Sequence, residues 1–144
     1  MKAEAIQIII DTNVVLAAAR SSGGTSFHLL NLIEDPRFEI NLSVPLVLEY
    51  EAVLKRPAHN LTMSHKEIDD VIDFLCENAN LRRIHFLWRA TLNDPNDDFL
   101  LELAVESNCK YIITFNTKDF LATDSFGILA IRPSEFLKII GERR

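Results

Sequence analysis

Acidic and amide side chains stand where two apolar, strand-like segments end. Asp11 follows residues 5–10, and Asn116 and Asp119 follow residues 111–115. Both segments are nearly continuously apolar, the pattern of a central strand buried on both faces of a parallel sheet. Because ligand sites of parallel sheets lie beyond the carboxyl ends of the strands, these groups are expected to share one cleft. Asp11 is equally well placed to cap a following helix.

Glu49 is a second acidic candidate, carried by the helix that the pattern predicts for residues 44–55. Leu46 and Val53 lie three and four residues from Glu49 on the same helical face, so its carboxylate is predicted to point inward. An inward carboxylate is costly unless another group pairs with it. Glu51 more readily faces water, which favours Glu49 as the functional residue.

The third acidic group is the cluster at residues 94–98, beside a helix predicted for residues 97–107. Acidic residues at a helix start are also ordinary complements to the helix dipole. Asp97 shares the face of Leu101 and Ala104, however, which directs its carboxylate toward the buried side. Three or four carboxylates at one edge would repel one another unless a hard divalent cation with oxygen ligands held them together.

Strand-like and helix-like segments alternate along the chain, which predicts an α/β fold. We expect three layers, α/β/α, with a central parallel sheet of four or five strands. A chain of 144 residues has the size of one ordinary domain, so residues 1–144 are expected to form a single unit. The predicted strands are residues 5–10, 38–42, 83–87, 111–115 and 128–131, and the predicted helices are residues 14–19, 27–33, 44–55, 65–79, 97–107 and a last one from Pro133.

The composition is that of a compact globular protein, with 48% hydrophobic and 25% charged residues. No apolar stretch approaches the roughly 20 residues that a membrane span needs, and no leader-like segment opens the chain, so a cytoplasmic protein without a membrane partner is expected. The two cysteines and four histidines lack the spacing of a zinc site. The net charge of -6 argues against nonspecific binding to nucleic acid, unless the acidic excess holds cations in one pocket.

The ordered set of motifs resembles the PIN-domain nucleases, in particular the PIN-family toxins of bacterial and archaeal toxin-antitoxin systems. The resemblance rests on IIIDTNVVLAA, LSVPLVLEYEAVLKRP, NDPNDDFLLELAVESNCKYIITFNTKDF and LAIRPSEFL, in the family's order. It implies a ribonuclease that cleaves RNA with Mg²⁺ or Mn²⁺ and that pairs with an antitoxin protein. Asp11, Glu49 and Asp97 match the acidic metal-binding positions and are the catalytic residues that the resemblance implies.

The resemblance also implies roles for other polar residues around these carboxylates. Each of the uncharged ones is equally plausible as a local turn or cap, and each of the basic ones as a solvated surface charge. Asp94 and Asp119 match further metal-binding positions; Thr12, Asn13, Ser43, Thr114 and Asn116 would orient the ligands; Lys55, Arg56, Arg89 and Lys118 are candidate phosphate contacts.

Three alternatives to an active nuclease follow from the same residues. Asn116 stands where the family often carries Asp, which leaves open a catalytically inactive PIN-like module that binds RNA or protein. A phosphatase of the haloacid dehalogenase type fits poorly, because it needs a second Asp where Asn13 stands. A receiver-type signalling domain expects paired acids after the first strand, and Asp11 has no acidic neighbour.

Self-association is the last expectation from sequence. The segments 27–33 and 71–75 carry more apolar residues than one small sheet can cover. A homodimer is therefore expected, as the family resemblance also suggests.

Overall fold

A computed structural model describes residues 4–83 and 95–142. Within these ranges the chain alternates strands and helices, as the sequence predicts. The strands are β1 (Ile6–Ile10), β2 (Phe38–Leu42), β3 (Ala79–Leu81), β4 (Tyr111–Ile113) and β5 (Leu129–Ile131). The helices are α1 (Thr12–Arg20), α2 (Thr25–Asn31), α3 (Val44–Leu54), α4 (His65–Glu77), α5 (Pro95–Glu106) and α6 (Pro133–Ile139), with 3₁₀ segments at Pro57–His59 and Thr117–Phe126.

All five strands form one parallel sheet in the order β3-β2-β1-β4-β5. The predicted fold class, α/β with helices around a central parallel sheet, is confirmed. From β1 the chain first builds outward through β2 and β3, and later returns to the other side of β1 with β4 and β5. The strand order thus reverses beside β1, and this switch point is where parallel sheets place their ligand sites.

β1 and β4 form the centre of the sheet and are buried on both faces. Ile8, Ile9, Ile112 and Ile113 are fully inaccessible to solvent. The pairing of Ile10 with Ile113 brings the carboxyl ends of the two strands side by side. The expectation that residues 5–10 and the strand from Tyr111 end next to each other is therefore confirmed.

The third strand of the sheet, β3, is Ala79–Leu81, which comes before the predicted residues 83–87. Arg83 lies outside any strand, so the predicted start is wrong, while residues 84–87 lie outside the described ranges and their assignment stays a prediction. Ala79 falls at the end of the helix predicted for residues 65–79, and Asn80 and Leu81 belong to no predicted element, because three residues are too few to show a strand pattern. Pairing with β2, in which Asn41 faces Asn80, fixes β3 instead.

Smaller differences concern the ends of elements near the carboxyl edge. α1 begins at Thr12, earlier than the predicted residue 14, because Asp11 caps it. β4 ends at Ile113, before the predicted residue 115, which frees Thr114 to turn its side chain toward Asp11. The 3₁₀ segment Thr117–Phe126 was not predicted. In the described ranges no helix combines the length and apolar character needed to cross a membrane.

Candidate active site

Asp11 is the centre of a hydrogen-bonded cluster at the carboxyl edge of β1. Its Oδ1 accepts from the backbone N–H of Thr12 at 2.8 Å, so it caps α1, and its Oδ2 accepts from the Thr114 hydroxyl at 2.7 Å. Its own N–H donates to the Ile113 carbonyl at 2.8 Å. Asp11 is only 8% exposed, and it is thus both the helix cap and the polar link between the two central strands.

Glu49 reaches the same edge from α3. The Thr12 hydroxyl donates to Glu49 Oε2 at 2.5 Å, so Thr12 contacts Asp11 through its backbone and Glu49 through its side chain. Ser43 caps α3, its hydroxyl accepting from the Leu46 N–H at 3.3 Å. The two carboxylates, 38 residues apart in sequence (49 minus 11), are therefore brought together by one threonine.

The Thr114 hydroxyl is held in a defined orientation. Its oxygen accepts from the Asn116 N–H at 3.0 Å and from the Asn13 amide at 3.5 Å. The Asn13 carbonyl in turn accepts from the Phe115 N–H at 3.4 Å. Because a hydroxyl has a single proton and these contacts use its lone pairs, the proton of Thr114 is directed to Asp11.

Neighbouring negative charges act on Asp11. Burial raises the pKa of Asp11; the hydrogen bonds from Thr114 and Thr12 oppose that shift, and the negative charges of Glu49 and Asp119 add to it. An environment that disfavours a second negative charge favours a bound cation. The described donors that meet here are carboxylate and hydroxyl oxygens, the ligand chemistry that fits a hard divalent ion such as Mg²⁺.

Asn116 and Asp119 lie on the segment that follows β4. Both residues are exposed, and the Asp119 N–H donates to the Asn116 carbonyl at 3.0 Å. Asp119 is near enough for its charge to act on Asp11. The structure therefore brings Asp11, Glu49 and Asp119 to the same edge of the sheet.

The cluster at residues 94–98 is only partly described. Asp94 and Arg89 lie outside the described ranges, and Asp97 lies in α5, with its side chain outside what the structure describes. Their predicted roles stay predictions. Among the described residues, no group of three or more Asp, Glu, His or Cys side chains is arranged to hold a metal ion.

The basic candidates differ in their surroundings. Lys55 forms ion pairs with Asp69 at 2.7 Å and Glu51 at 3.5 Å, so it connects α3 to α4. Arg56 is exposed and lines a groove of about 330 Å³ that also contains Glu49. Lys118 is exposed on the segment after β4. Arg56 and Lys118 are therefore more available to a phosphate than Lys55.

A comparison with protein families matches residues 7–118 to the PIN domain. The chain belongs to the PIN-domain family. A comparison with curated proteins finds no match. PIN domains are generally nucleases and typically use divalent metal ions, so family membership points to a nuclease-type function, and the matched range spans Asp11, Glu49 and the segment with Asp97.

Tyr50 is a site residue that the sequence did not single out. It is buried, and its phenol donates a hydrogen bond to the carbonyl of Ile10, directly before Asp11. The only sequence signal was its position beside Glu49 in an apolar helix, which any core tyrosine shares. Its partner becomes visible only when α3 is packed across the end of β1.

Proposed function

We propose that this chain is a ribonuclease that uses Mg²⁺ or Mn²⁺ to hydrolyse RNA phosphodiester bonds and that serves as the toxin of a toxin-antitoxin pair. The observation that carries the proposal is the pair Asp11 and Glu49, joined through Thr12 at the switch point of a PIN-domain sheet. Burial and like charge raise the pKa of Asp11, and this is the electrostatic condition that a bound divalent ion relieves.

The residues that would hold the ion are Asp11 and Glu49, with Asp97, Asp94 and Asp119 as further acidic ligands in one or two metal sites. When bound, a divalent ion supplies a water of lowered pKa and positive charge for the phosphodiester group. Among the described residues, Thr12 donates to Oε2 of Glu49, and Oε1 would be offered to a ligand.

The uncharged residues of the site orient these ligands. Thr114 and the Thr12 backbone each occupy one oxygen of Asp11, which fixes its carboxylate plane. Asn13 and the backbone of Asn116 orient Thr114 in turn, and Ser43 fixes the start of the helix that carries Glu49. Outer partners of this kind commonly change metal affinity 10- to 100-fold when removed.

Basic residues around the edge would contact the RNA backbone. Arg56 is exposed beside Glu49 in the groove between α3 and α5, and Lys118 is exposed near Asp119. Arg89 and Lys55 are the other two proposed phosphate contacts. For Lys55 to contact a phosphate, its ion pair with Asp69 must open, or its ammonium group must contact both anions. Phosphate contacts position a nucleic acid without reading its sequence.

The direct test is cleavage of tRNA, rRNA and mRNA by the purified protein with Mn²⁺, followed by addition of EDTA. We expect cleavage with Mn²⁺, none after EDTA, and none in Asp11→Asn. Glu39→Gln is a matched control, because it removes one carboxylate charge from the same sheet away from the site. Cleavage that survives EDTA, or that survives Asp11→Asn, would contradict the proposal.

A second set of variants identifies the ligand from the cluster at residues 94–98. We expect Asp97→Asn to abolish both cleavage and stabilisation by metal, and Asp98→Asn to preserve them. Loss in Asp94→Asn or Asp98→Asn with retention in Asp97→Asn would mean that Asp97 is the wrong choice. If none of the three mattered, the nuclease proposal would have to be abandoned.

An inactive PIN-like module that binds RNA or protein is the second candidate. Asn116 favours it, because an exposed amide stands where the family often places an acid. RNA binding without cleavage in any of Mg²⁺, Mn²⁺ or EDTA would support this alternative. If the site lacks only one acidic ligand, Asn116→Asp should increase cleavage.

The partner proteins are part of the proposal. The antitoxin follows from the family resemblance, and a homodimer is supported by exposed apolar side chains, among them Leu48 and Phe74, and by an apolar groove of about 540 Å³ lined by Phe27, Leu30 and Phe74. The segments expected to drive association are partly packed inside, since Leu29 and Leu75 are buried. Light scattering at micromolar concentration should give twice the mass of 16.4 kDa, and a monomer would contradict the dimer.

A further inference from the structure

Tyr50 links the two elements that carry the site's carboxylates. It follows Glu49 on α3, and its phenol donates to the carbonyl of Ile10, the residue that precedes Asp11 on β1. The hydrogen bond therefore joins the direct chain neighbours of Asp11 and Glu49. Only 1% of Tyr50 is exposed, so both the ring and the hydroxyl are fixed by their surroundings.

A small displacement of α3 relative to β1 would change the distance between the carboxylates of Asp11 and Glu49. Thr12 holds Asp11 Oδ1 and Glu49 Oε2 through contacts of 2.8 and 2.5 Å, and these contacts depend on how α3 sits over the end of β1. Ser43 fixes only the first turn of α3. Tyr50, on the second turn, connects the middle of α3 to the β1 backbone.

We propose that Tyr50 is a positioning residue that fixes the separation between the carboxylates of Asp11 and Glu49, and thereby the affinity of the site for a divalent ion. The second half of this statement rests on the proposed metal-dependent function; the first half concerns the protein without metal. A buried tyrosine also commonly satisfies its hydroxyl with a backbone carbonyl for stability alone. The test must therefore separate positioning from stability.

Tyr50→Phe removes the hydroxyl and keeps the ring, and Tyr111→Phe is the matched control. The chain has two tyrosines, and Tyr111 is also buried, at the amino end of β4 and against Phe136. Each variant is titrated with MnCl₂ by calorimetry, and its unfolding free energy is measured with urea in EDTA. In EDTA, amide hydrogen exchange is also compared between Thr12, whose N–H is bonded to Asp11, and Ile113 in the core of the sheet.

We expect Tyr50→Phe to weaken Mn²⁺ binding about tenfold, within the range for outer partners of metal ligands, while Tyr111→Phe leaves it unchanged. In EDTA, Tyr50→Phe should accelerate exchange at Thr12 more than at Ile113. Unchanged Mn²⁺ affinity, with equal acceleration at the two amides, would show that Tyr50 acts only through stability and would overturn the proposal. If the wild type binds no Mn²⁺, the proposed function fails, and the exchange comparison alone decides whether Tyr50 positions the carboxylates.

Discussion

Two polar networks are built on β1 and its neighbours, and their charges are balanced in opposite ways. Across β1, β2 and β3, Glu39 accepts from the Gln7 amide at 2.8 Å and from the Asn80 amide at 2.9 Å. These hydrogen bonds lower the pKa of Glu39, and the charge of Arg82 adds to the effect. The carboxylate of Glu39 therefore has donors that stabilise its charge.

Asn41 forms the buried part of the same network. It is fully inaccessible, and its amide donates to Gln7 Oε1 at 3.0 Å and to the Ile8 carbonyl at 3.2 Å. Its own oxygen accepts from Arg82 Nε at 3.0 Å. Donors and acceptors are matched, as expected of a network that specifies how β1, β2 and β3 pair.

At the carboxyl edge the balance is reversed. Among the described residues, Asp11 and Glu49 are bonded to neutral donors only, and burial together with nearby negative charge raises the pKa of Asp11. Within this part of the chain, the carboxylate oxygens at this edge outnumber the groups that donate to them. A polar network whose donors and acceptors are satisfied by one another stabilises the fold. A cluster of carboxylates whose negative charge requires a bound cation indicates a ligand site instead.

The largest expected effect is on catalysis. Asp11→Asn or Glu49→Gln should reduce RNA cleavage by about 100-fold or more, since removal of even an outer partner of a metal ligand costs 10- to 100-fold. Glu39→Gln, the same chemical change in the balanced network, should leave the rate within about twofold of the wild type. Initial rates on one RNA with Mn²⁺ measure both. Equal losses in the two networks would remove the functional distinction between them.

The next effect is on stability. Asn41→Ala should lower the free energy of unfolding by about 2 kcal/mol, because it leaves the buried Ile8 carbonyl and the half-buried Nε of Arg82 without this partner. Urea denaturation in EDTA measures the loss. The Mn²⁺ affinity of the folded variant should stay unchanged; a weakened affinity would show that the two networks are coupled.

A pH-dependent gain in stability is expected at the carboxyl edge. The pKa of Asp11 is raised in the folded protein above its ordinary value of 3.8, so the native state binds more protons between these two pKa values and loses stability as the pH rises. Asn at position 11 has no such titration, but it also lacks one of the two acceptor oxygens that Asp11 offers to Thr12 and Thr114. The expected outcome therefore concerns the change with pH: without metal, the free energy of unfolding of Asp11→Asn relative to that of the wild type should increase from pH 4 to pH 7. Urea denaturation at the two pH values measures it, and a difference that stays constant or decreases would count against the electrostatic argument.

The smallest effect is expected at Glu39, and its sign is opposite. Because the pKa of Glu39 is lower in the folded protein than in the unfolded chain, its ionised carboxylate stabilises the folded protein at pH values above the ordinary pKa. This stabilisation is lost as the pH falls through the lowered pKa. Because Glu39 is exposed and screened, Glu39→Gln should cost less than about 1 kcal/mol at pH 7. Urea denaturation at pH 7 and pH 3 checks both the size and the direction. A gain in stability at pH 7 would mean that Glu39, like Asp11, lacks compensating donors.

The parts of the site that the sequence predicts are those encoded by local patterns. β1 and β4 are continuous apolar segments, so the place of Asp11 beyond a buried strand follows directly. The inward direction of Glu49 follows from helical spacing. β3 could not be found, because three residues that include Asn80 are placed by pairing with β2 rather than by a pattern of their own.

The hydrogen bonds that assemble the site could not be predicted. Thr12 reaches Glu49, 37 residues away, and Thr114 reaches Asp11, 103 residues away. Sequence assigned both threonines to the neighbourhood of the site through a family resemblance, without a partner for either. Tyr50 carried no sequence signal beyond that of a core residue, because its partner is a backbone carbonyl of another element.

The central claim is that the carboxyl edge of β1 is a divalent-cation site, and thermal melting with MnCl₂ tests it most directly. A ligand at about 100 times its dissociation constant stabilises the native state by about 2.7 kcal/mol, which for a chain of this size corresponds to a rise of about 5 to 10 °C in Tm. We predict such a rise for the wild type and for Glu39→Gln, and none for Asp11→Asn. A wild type whose Tm does not respond to MnCl₂, or an Asp11→Asn variant that responds equally, would contradict the claim.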